Sequence, residues 1–434
     1  MPDLQPFPGL RYNLGHVGSL SDVICPPYDV IGPELQDQLY KLHPANIVRA
    51  EWNRQEPGDD AKSNRYTRAA KFMKDWRSEG VLFQESEPAI YVYDQTFTYA
   101  GKTHTRRGFM ARCRLQRFGE GNIYPHEETM SGPKADRLLL MTACRANLSQ
   151  IFGLYPDPRG SVNNVIEAFL GDTSPLEATD HLGVLHRLWP VTDIDAIDTI
   201  VGLMGLKPMF IADGHHRYET ACNYRDELSA DGYLDPQHPA NFVLMMCVGM
   251  SDPGLLVLPT HRLFRGLPAM SSVELMEKLG DSFACRVAGE GSDLAPTIWN
   301  EIETEGEQGT LGLYTKRDGR WVVARITPAG RKRMAQVASE HSEHWQGLGV
   351  SILHRLLIDN LLAARSLPKP RYVHLVEEVV ESLNTDEDFP LAALVMPATV
   401  EHVRLISEQA ERMPAKSTYF YPKLVSGLVL NPLE

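Results

Sequence analysis

The stretch Lys207-Pro208-Met209-Phe210-Ile211-Ala212-Asp213-Gly214-His215-His216-Arg217-Tyr218-Glu219-Thr220-Ala221 decides how the chain is read. A short apolar run after a proline predicts a buried strand, and Asp-Gly ends it. Tyr218, Ala221, Cys222 and Leu228 then follow at the spacing of a helix's buried face. A strand that turns through glycine into a helix gathers backbone N–H groups and the positive end of the helix dipole at the turn. His215, His216 and Arg217 fall at what this spacing predicts to be the exposed first turn. Donors and cations placed there suit an anion, phosphate above all. Asp213, Gly214, His215, His216 and Arg217 are therefore the expected phosphate-binding residues; the competing view makes Asp213 an N-cap beside two surface histidines.

Outward from this stretch, strands and helices alternate irregularly. Ile90–Tyr99 and Thr103–Leu115, rich in Tyr, Thr, Phe and Val, flank Ala100-Gly101-Lys102 as a hairpin, and Leu311–Tyr314 with Trp321–Ile326 predicts a second one through Arg317-Asp318-Gly319. Helices are expected near residues 60–79, 134–147, 193–204, 215–229, 272–280, 350–365 and 400–412, and strands near 149–155, 208–212, 241–249, 372–377 and 391–396. Hairpins mixed with strand-to-helix steps predict a mixed α/β (α+β) fold. The chain reads as one unit over residues 1–434, with composition dips at 157–160 and 289–292 as candidate subdivisions.

Composition excludes several classes. The 434 residues are 43% apolar and 23% charged, as in globular proteins and unlike disordered or collagenous chains. A net charge of −13 disfavours nucleic acid and anionic membranes as partners. The start Met-Pro-Asp-Leu lacks the pattern of a signal peptide, and the longest apolar runs are too short to span a bilayer, so a cytoplasmic location is expected. Six cysteines lie scattered with no C-x-x-C pair, which predicts reduced thiols rather than disulfides or a cysteine zinc site. Walker, Rossmann, zincin and nucleophile-elbow signatures are absent.

Two further clusters carry donors and charges. Tyr124-Pro125-His126-Glu127-Glu128-Thr129 precedes Ser131-Gly132-Pro133-Lys134-Ala135-Asp136-Arg137, where Lys134 and Arg137 would share a helix face beside the His-Glu-Glu loop. A carboxylate there can deprotonate a hydroxyl while cations balance charge on a transferred group, so Glu127, His126, Lys134 and Arg137 are the expected catalytic residues. Lys416-Ser417-Thr418, opening the aromatic stretch Tyr419-Phe420-Tyr421-Pro422-Lys423, adds expected phosphate contacts. Cys25-Pro26-Pro27-Tyr28-Asp29 reads as a rigid extended segment able to present Asp29. His341 and His344 are expected to be solvated on an exposed helix.

Taken together, Pro26-Pro27-Tyr28-Asp29-Val30, His126-Glu127-x-Thr129, Lys134-x-Asp136-Arg137, the Asp213–Ala221 string and Lys416–Lys423 resemble the bacterial domain-of-unknown-function family 1015 over nearly the whole chain. More remotely, a strand followed by Asp-Gly-His-His-Arg is similar to the nucleotide-phosphate box of the ParB/sulfiredoxin-like superfamily, which includes free-serine kinases. That resemblance implies a ParB/sulfiredoxin-like core with large additional strands and helices, and a nucleotide phosphate near Gly214, His215, His216 and Arg217. In the serine kinases a glutamate acts as base; no shared spacing assigns its counterpart here, and Glu127 is chosen on chemistry. Sulfiredoxin's Gly-Cys-His-Arg box is not reproduced, since His215 follows Gly214.

The resulting expectation is a nucleotide-binding phosphotransferase acting on a small hydroxylated metabolite, with ATP or ADP as the nucleotide and Mg2+ arriving with it. One alternative is a metal-dependent hydrolase using Asp213, His215, His216 and His126. Another is a non-catalytic nucleotide sensor or partner-binding protein. Oligomeric state is left open by the sequence.

Overall fold

Ile90–Tyr99 and Lys102–Arg114 pair as the long hairpin expected around Ala100-Gly101, with Tyr99 opposite Lys102. This hairpin lies within the larger sheet of a computed structural model that describes residues 3–434 apart from 130, 206, 231, 233, 386 and 387. The architecture is mixed α/β, and the chain divides into two compact units. The first comprises residues up to Pro125, Thr129–Leu256 and Pro422–Glu434; the second comprises His126–Glu128 and Val257–Tyr421.

In the first unit, the sheet runs in the order Ile123–Tyr124, Met209–Asp213, Ile151–Tyr155, Phe242–Gly249, Lys102–Arg114, Ile90–Tyr99, Leu185–Val191 and Leu176–Thr179, with Leu4–Gln5 added beside Lys102–Arg114. Phe242–Gly249 is buried at every position, as a near-continuous apolar strand with neighbours on both sides should be. It runs parallel to Ile151–Tyr155 and antiparallel to Lys102–Arg114. Helices Ser131–Cys144 and His215–Ala230 pack on each other, Arg65–Ser78 packs on Ser131–Cys144, and Ser161–Leu170 packs on Ile194–Met204. Ile151, Tyr155, Met209, Ile211, Tyr218, Ala221 and Cys222 meet in one core, so the decisive strand and helix are fixed by the apolar spacing that predicted them. Asp157 to Gly160 forms the connection from Ile151–Tyr155 to helix Ser161–Leu170.

The second unit is built on an antiparallel sheet ordered Phe283–Glu290, Arg320–Ile326, Thr310–Thr315, Leu391–Val395, His261–Phe264 and Arg371–Val373. The second predicted hairpin is its Thr310–Thr315 and Arg320–Ile326 pair. Trp299, Trp321, Tyr314 and Phe389 dominate the core under helices Ala295–Glu305 and Val376–Leu383. Gly289 to Ser292 lies at the end of strand Phe283–Glu290.

Three local expectations are corrected. The strand near 372–377 stops at Val373, because Glu378 accepts the N–H groups of His374 (2.9 Å) and Leu375 (2.8 Å) and so starts a helix at Val376. The helix near 350–365 is α only over Gly349–Ser351 and continues as a π-helix over Ile352–Leu361. His341 lies ahead of helix Glu343–Gly347 rather than on it, stacked 3.8 Å from the Trp345 ring with its Nδ1 3.2 Å from Glu411; His344 is exposed. No described helix is long and apolar enough to cross a membrane, and all six cysteines are unpaired.

Candidate functional site

Strand Met209–Asp213 delivers Asp213 to the edge of the first unit's core, and Gly214 turns the chain into helix His215–Ala230. Gly214 has φ +93°, a left-handed conformation that calls for glycine, and a Cβ there would lie 3.0 Å from the Arg217 guanidinium. Its carbonyl accepts the Tyr218 N–H at 2.9 Å, the first bond of the helix. Arg217 folds back, donating from Nη2 to Asp213 Oδ2 (2.8 Å) and from Nη1 to the Gln150 carbonyl (2.5 Å). Lys423 pairs with the other Asp213 oxygen. Lys423 is itself held in place: its carbonyl accepts from Gln95 at 3.0 Å, and the preceding Pro422 carbonyl accepts from Arg106 at 2.5 Å. Arg106 is wholly buried, and burial pushes its guanidinium down to about 10. That still leaves it cationic at neutral pH.

A second layer lies against this turn. Arg137 donates to Asp136 (2.7 Å) and to the Glu51 carbonyl (3.0 Å), lies 3.6 Å from the Glu51 carboxylate, and stacks 4.2 Å above the Tyr28 ring. Asp136 also takes Arg65 and the Tyr66 hydroxyl (2.7 Å). Glu51 is 1% exposed; burial raises its carboxyl, while Arg137, Arg217 and the Ser149 hydroxyl pull it down. Burial, with Asp29 beside it, pushes the Tyr28 hydroxyl up to about 12 against the pull of Arg217 and Arg137. Glu51, Arg137, Asn147, Ser149 and Arg217 border a cavity of about 30 Å³, room for a water.

One expectation about this region needs correction. His215 is 5% exposed rather than on an exposed turn, since it shares the helix face of Tyr218 and Cys222, three and seven residues on; His216 is half-buried. Lys134 and Arg137 have different partners: Lys134 bonds Glu219 at 2.7 Å, which also accepts from Thr129 at 2.6 Å, and Arg137 serves Asp136 and Glu51.

His126, Glu127, Lys416, Ser417 and Thr418 belong to the second unit and form their own constellation. His126 is fully buried, with Nε2 2.8 Å from the Thr418 hydroxyl. Glu127 Oε1 accepts the Lys416 N–H at 3.1 Å. Lys416 sits in the left-handed region at φ +60°, and its carbonyl accepts from Arg262 Nη2 at 2.9 Å. The Ser417 hydroxyl donates to the Pro414 carbonyl. Arg262, 2% exposed, also donates through Nε to His354 Nε2 at 3.1 Å, and His354 is carried by the π-helix, a rare conformation that recurs at functional sites. Burial, with Arg262 adding to it, pushes His354 down to about 3.

Sequence reasoning missed Lys423 as the partner of Asp213, and missed Glu51, Arg65, Arg262 and His354. Lys423 carried a signal, since it closes the Lys416–Lys423 motif; Glu51 sits in no motif and is recognisable only once its surroundings are seen. Among the described residues, no group of three or more His, Cys, Asp or Glu side chains is placed to hold a metal ion. What the first unit offers is a fan of cations around a helix start, suited to an anion that carries several charges.

No curated protein matches the chain. Among solved structures it is similar to a conserved hypothetical protein from Pyrococcus furiosus (11% identity, TM-score 0.34, covering 70% of this chain and 89% of that one). It is also similar to a free serine kinase variant in complex with ADP (12%, 0.33, 69% and 84%) and to SbnI with a C-terminal truncation from Staphylococcus aureus (8%, 0.33, 72% and 84%). Likeness of this degree says nothing about what this chain binds. The sequence match is of another kind: a family model fits residues 4–351, and the chain belongs to the family described as protein of unknown function, DUF1015.

Proposed function

We propose that the chain binds the phosphates of a nucleotide, ATP or ADP, at the Asp213–Arg217 turn and transfers a phosphoryl group to a small hydroxylated molecule. The observation that carries this reading is the placement of Arg217 and Lys423 on the two oxygens of Asp213 at the start of a sixteen-residue helix. Two cations pre-set by one carboxylate, at the positive end of a helix dipole, favour a polyanion over a neutral ligand. His215 and His216 add imidazoles at the same turn, and Mg2+ arrives with the nucleotide. Phosphoryl transfer asks a protein chiefly for positioning and charge stabilisation rather than a covalent nucleophile, which matches a site rich in Arg and Lys. Lys416, Ser417 and Thr418 are the phosphate-binding residues proposed for the second unit. Calorimetry with ATP, ADP, CTP and GTP tests the reading: micromolar binding of one of them is expected, and binding of none overturns it. Binding without turnover of any hydroxylated acceptor makes the chain a nucleotide sensor instead.

A further inference from the structure

Among the described residues, the carboxylates that pair with the first unit's cations are already occupied. Asp213 is held by Arg217 and Lys423. Asp136 is held by Arg65, Arg137 and Tyr66, and Glu219 by Lys134 and Thr129. Glu51 is buried, beside Arg137 and the Ser149 hydroxyl. Asp29 is different. It is exposed, and among the described residues no hydrogen bond or ion pair engages its carboxylate.

The backbone holds Asp29 in place all the same. Pro26 and Pro27 stiffen the approach, and a 3-10 turn over Tyr28–Val30 closes with Val30 N–H on the Pro27 carbonyl (3.2 Å) and Ile31 N–H on the Tyr28 carbonyl (3.3 Å). The preceding Tyr28 ring packs against both the Arg137 guanidinium at 4.2 Å and the Trp52 ring at 5.6 Å. Tyr28 is near enough to Asp213 and Arg217 for both to act on its hydroxyl, and Asp29 acts in turn on Glu51. An unengaged carboxylate on a rigid turn at the rim of a cation cluster has what a general base needs: a vacant lone pair, access from solvent and a fixed position.

We infer that Asp29 is the general base that deprotonates the acceptor hydroxyl, an inference that rests on the phosphotransfer reading above. In the step, the acceptor oxygen forms a bond to the γ-phosphorus while its proton passes to an Asp29 oxygen. The bond from that phosphorus to the β–γ bridging oxygen breaks, and its electron pair leaves on the nucleoside diphosphate. Glu127, the base expected from sequence, has its Oε1 on the Lys416 amide.

The test measures ADP release from MgATP, with water or glycerol as the acceptor probe, alongside calorimetric ADP binding. Asp29→Asn is expected to cut ADP release by about a hundredfold or more while leaving ADP affinity within about twofold; Asp29→Glu restores part of the rate. An Asp29→Asn protein that turns over like the wild type, or loses ADP affinity in step with rate, overturns the assignment. So does a wild type that binds ADP but releases none from MgATP. A wild type that binds none of ATP, ADP, CTP and GTP overturns the phosphate-binding reading and the base with it, and one that binds another of these but releases no diphosphate from its magnesium complex overturns the base alone.

Discussion

Arg217 reaches back across Gly214 to sit 2.8 Å from Asp213, so a single left-handed residue separates the end of a strand from a helix whose third residue returns to pair with it. Arg217→Ala removes two charge-assisted donors from the turn. Nucleotide affinity is expected to fall by about 1.5–3 kcal/mol, the range for hydrogen bonds to charged groups, and Arg217→Lys to recover only part because the lysine cannot reach Asp213 and Gln150 together. Calorimetry against ADP reads both; unchanged affinity in the alanine variant removes Arg217 from the ligand set.

Arg137 and Glu51 are a buried pair, at 6% and 1% side-chain exposure. Arg137→Met leaves Glu51 buried with Arg217 as its remaining cation, and stability at neutral pH is expected to drop by about 3–5 kcal/mol. Adding Glu51→Gln to that variant recovers much of the loss, because the stranded charge is gone. Urea unfolding of the two single variants and the double variant checks this; simple additivity would show that the two groups are not coupled.

Acid weakens the second unit through two histidines. Burial first, and Arg262 next, push His261 and His354 down to about 3. In the unfolded chain each takes a proton near pH 6.5. The sign follows: the stability these neutral rings allow is complete above pH 6.5 and is lost as pH falls toward 3, by about 1.4 kcal/mol per pH unit for each ring. Urea midpoints at pH 7.5 and 5 should differ accordingly. His261→Phe, which keeps the edge contact to Trp299, should reduce proton uptake on unfolding at pH 5 by about one.

Lys416 occupies a left-handed conformation that glycine adopts without strain. Lys416→Gly should therefore raise the thermal stability of the protein, by about 1 kcal/mol, while weakening ATP binding if the ammonium contacts phosphate. A glycine variant that binds ATP like the wild type shows that the side chain has no such contact.

The decisive strand and helix are legible because their apolar positions recur at strand and helix periods: Met209 to Ile211, then Tyr218, Ala221 and Cys222, are buried, and Leu228 is partly so. Periodicity says less about a polar residue on the same face. His215 was expected outside because it is a histidine beside a turn, and it lies inside because position 215 shares a face with 218 and 222. The π-helix was invisible for a related reason, since its apolar residues satisfy an α-helical pattern equally well. Partners distant in sequence were out of reach. Nothing near Asp213 names Lys423, and nothing near Arg137 names Glu51 or Tyr28; those pairings exist only once the sheet order has been set.

Asp213 and Lys423 are 210 positions apart. A ribosome adding about 5–20 residues per second needs roughly 10–40 s to travel that far. During that interval the nascent polypeptide has Asp213 and Arg217 but not the second cation, and the Val257–Tyr421 part of the second unit is made in between. A growing chain therefore lacks the completed Asp213–Arg217–Lys423 cluster until translation passes residue 423, by which time all of both units except the last eleven residues of the first has been made.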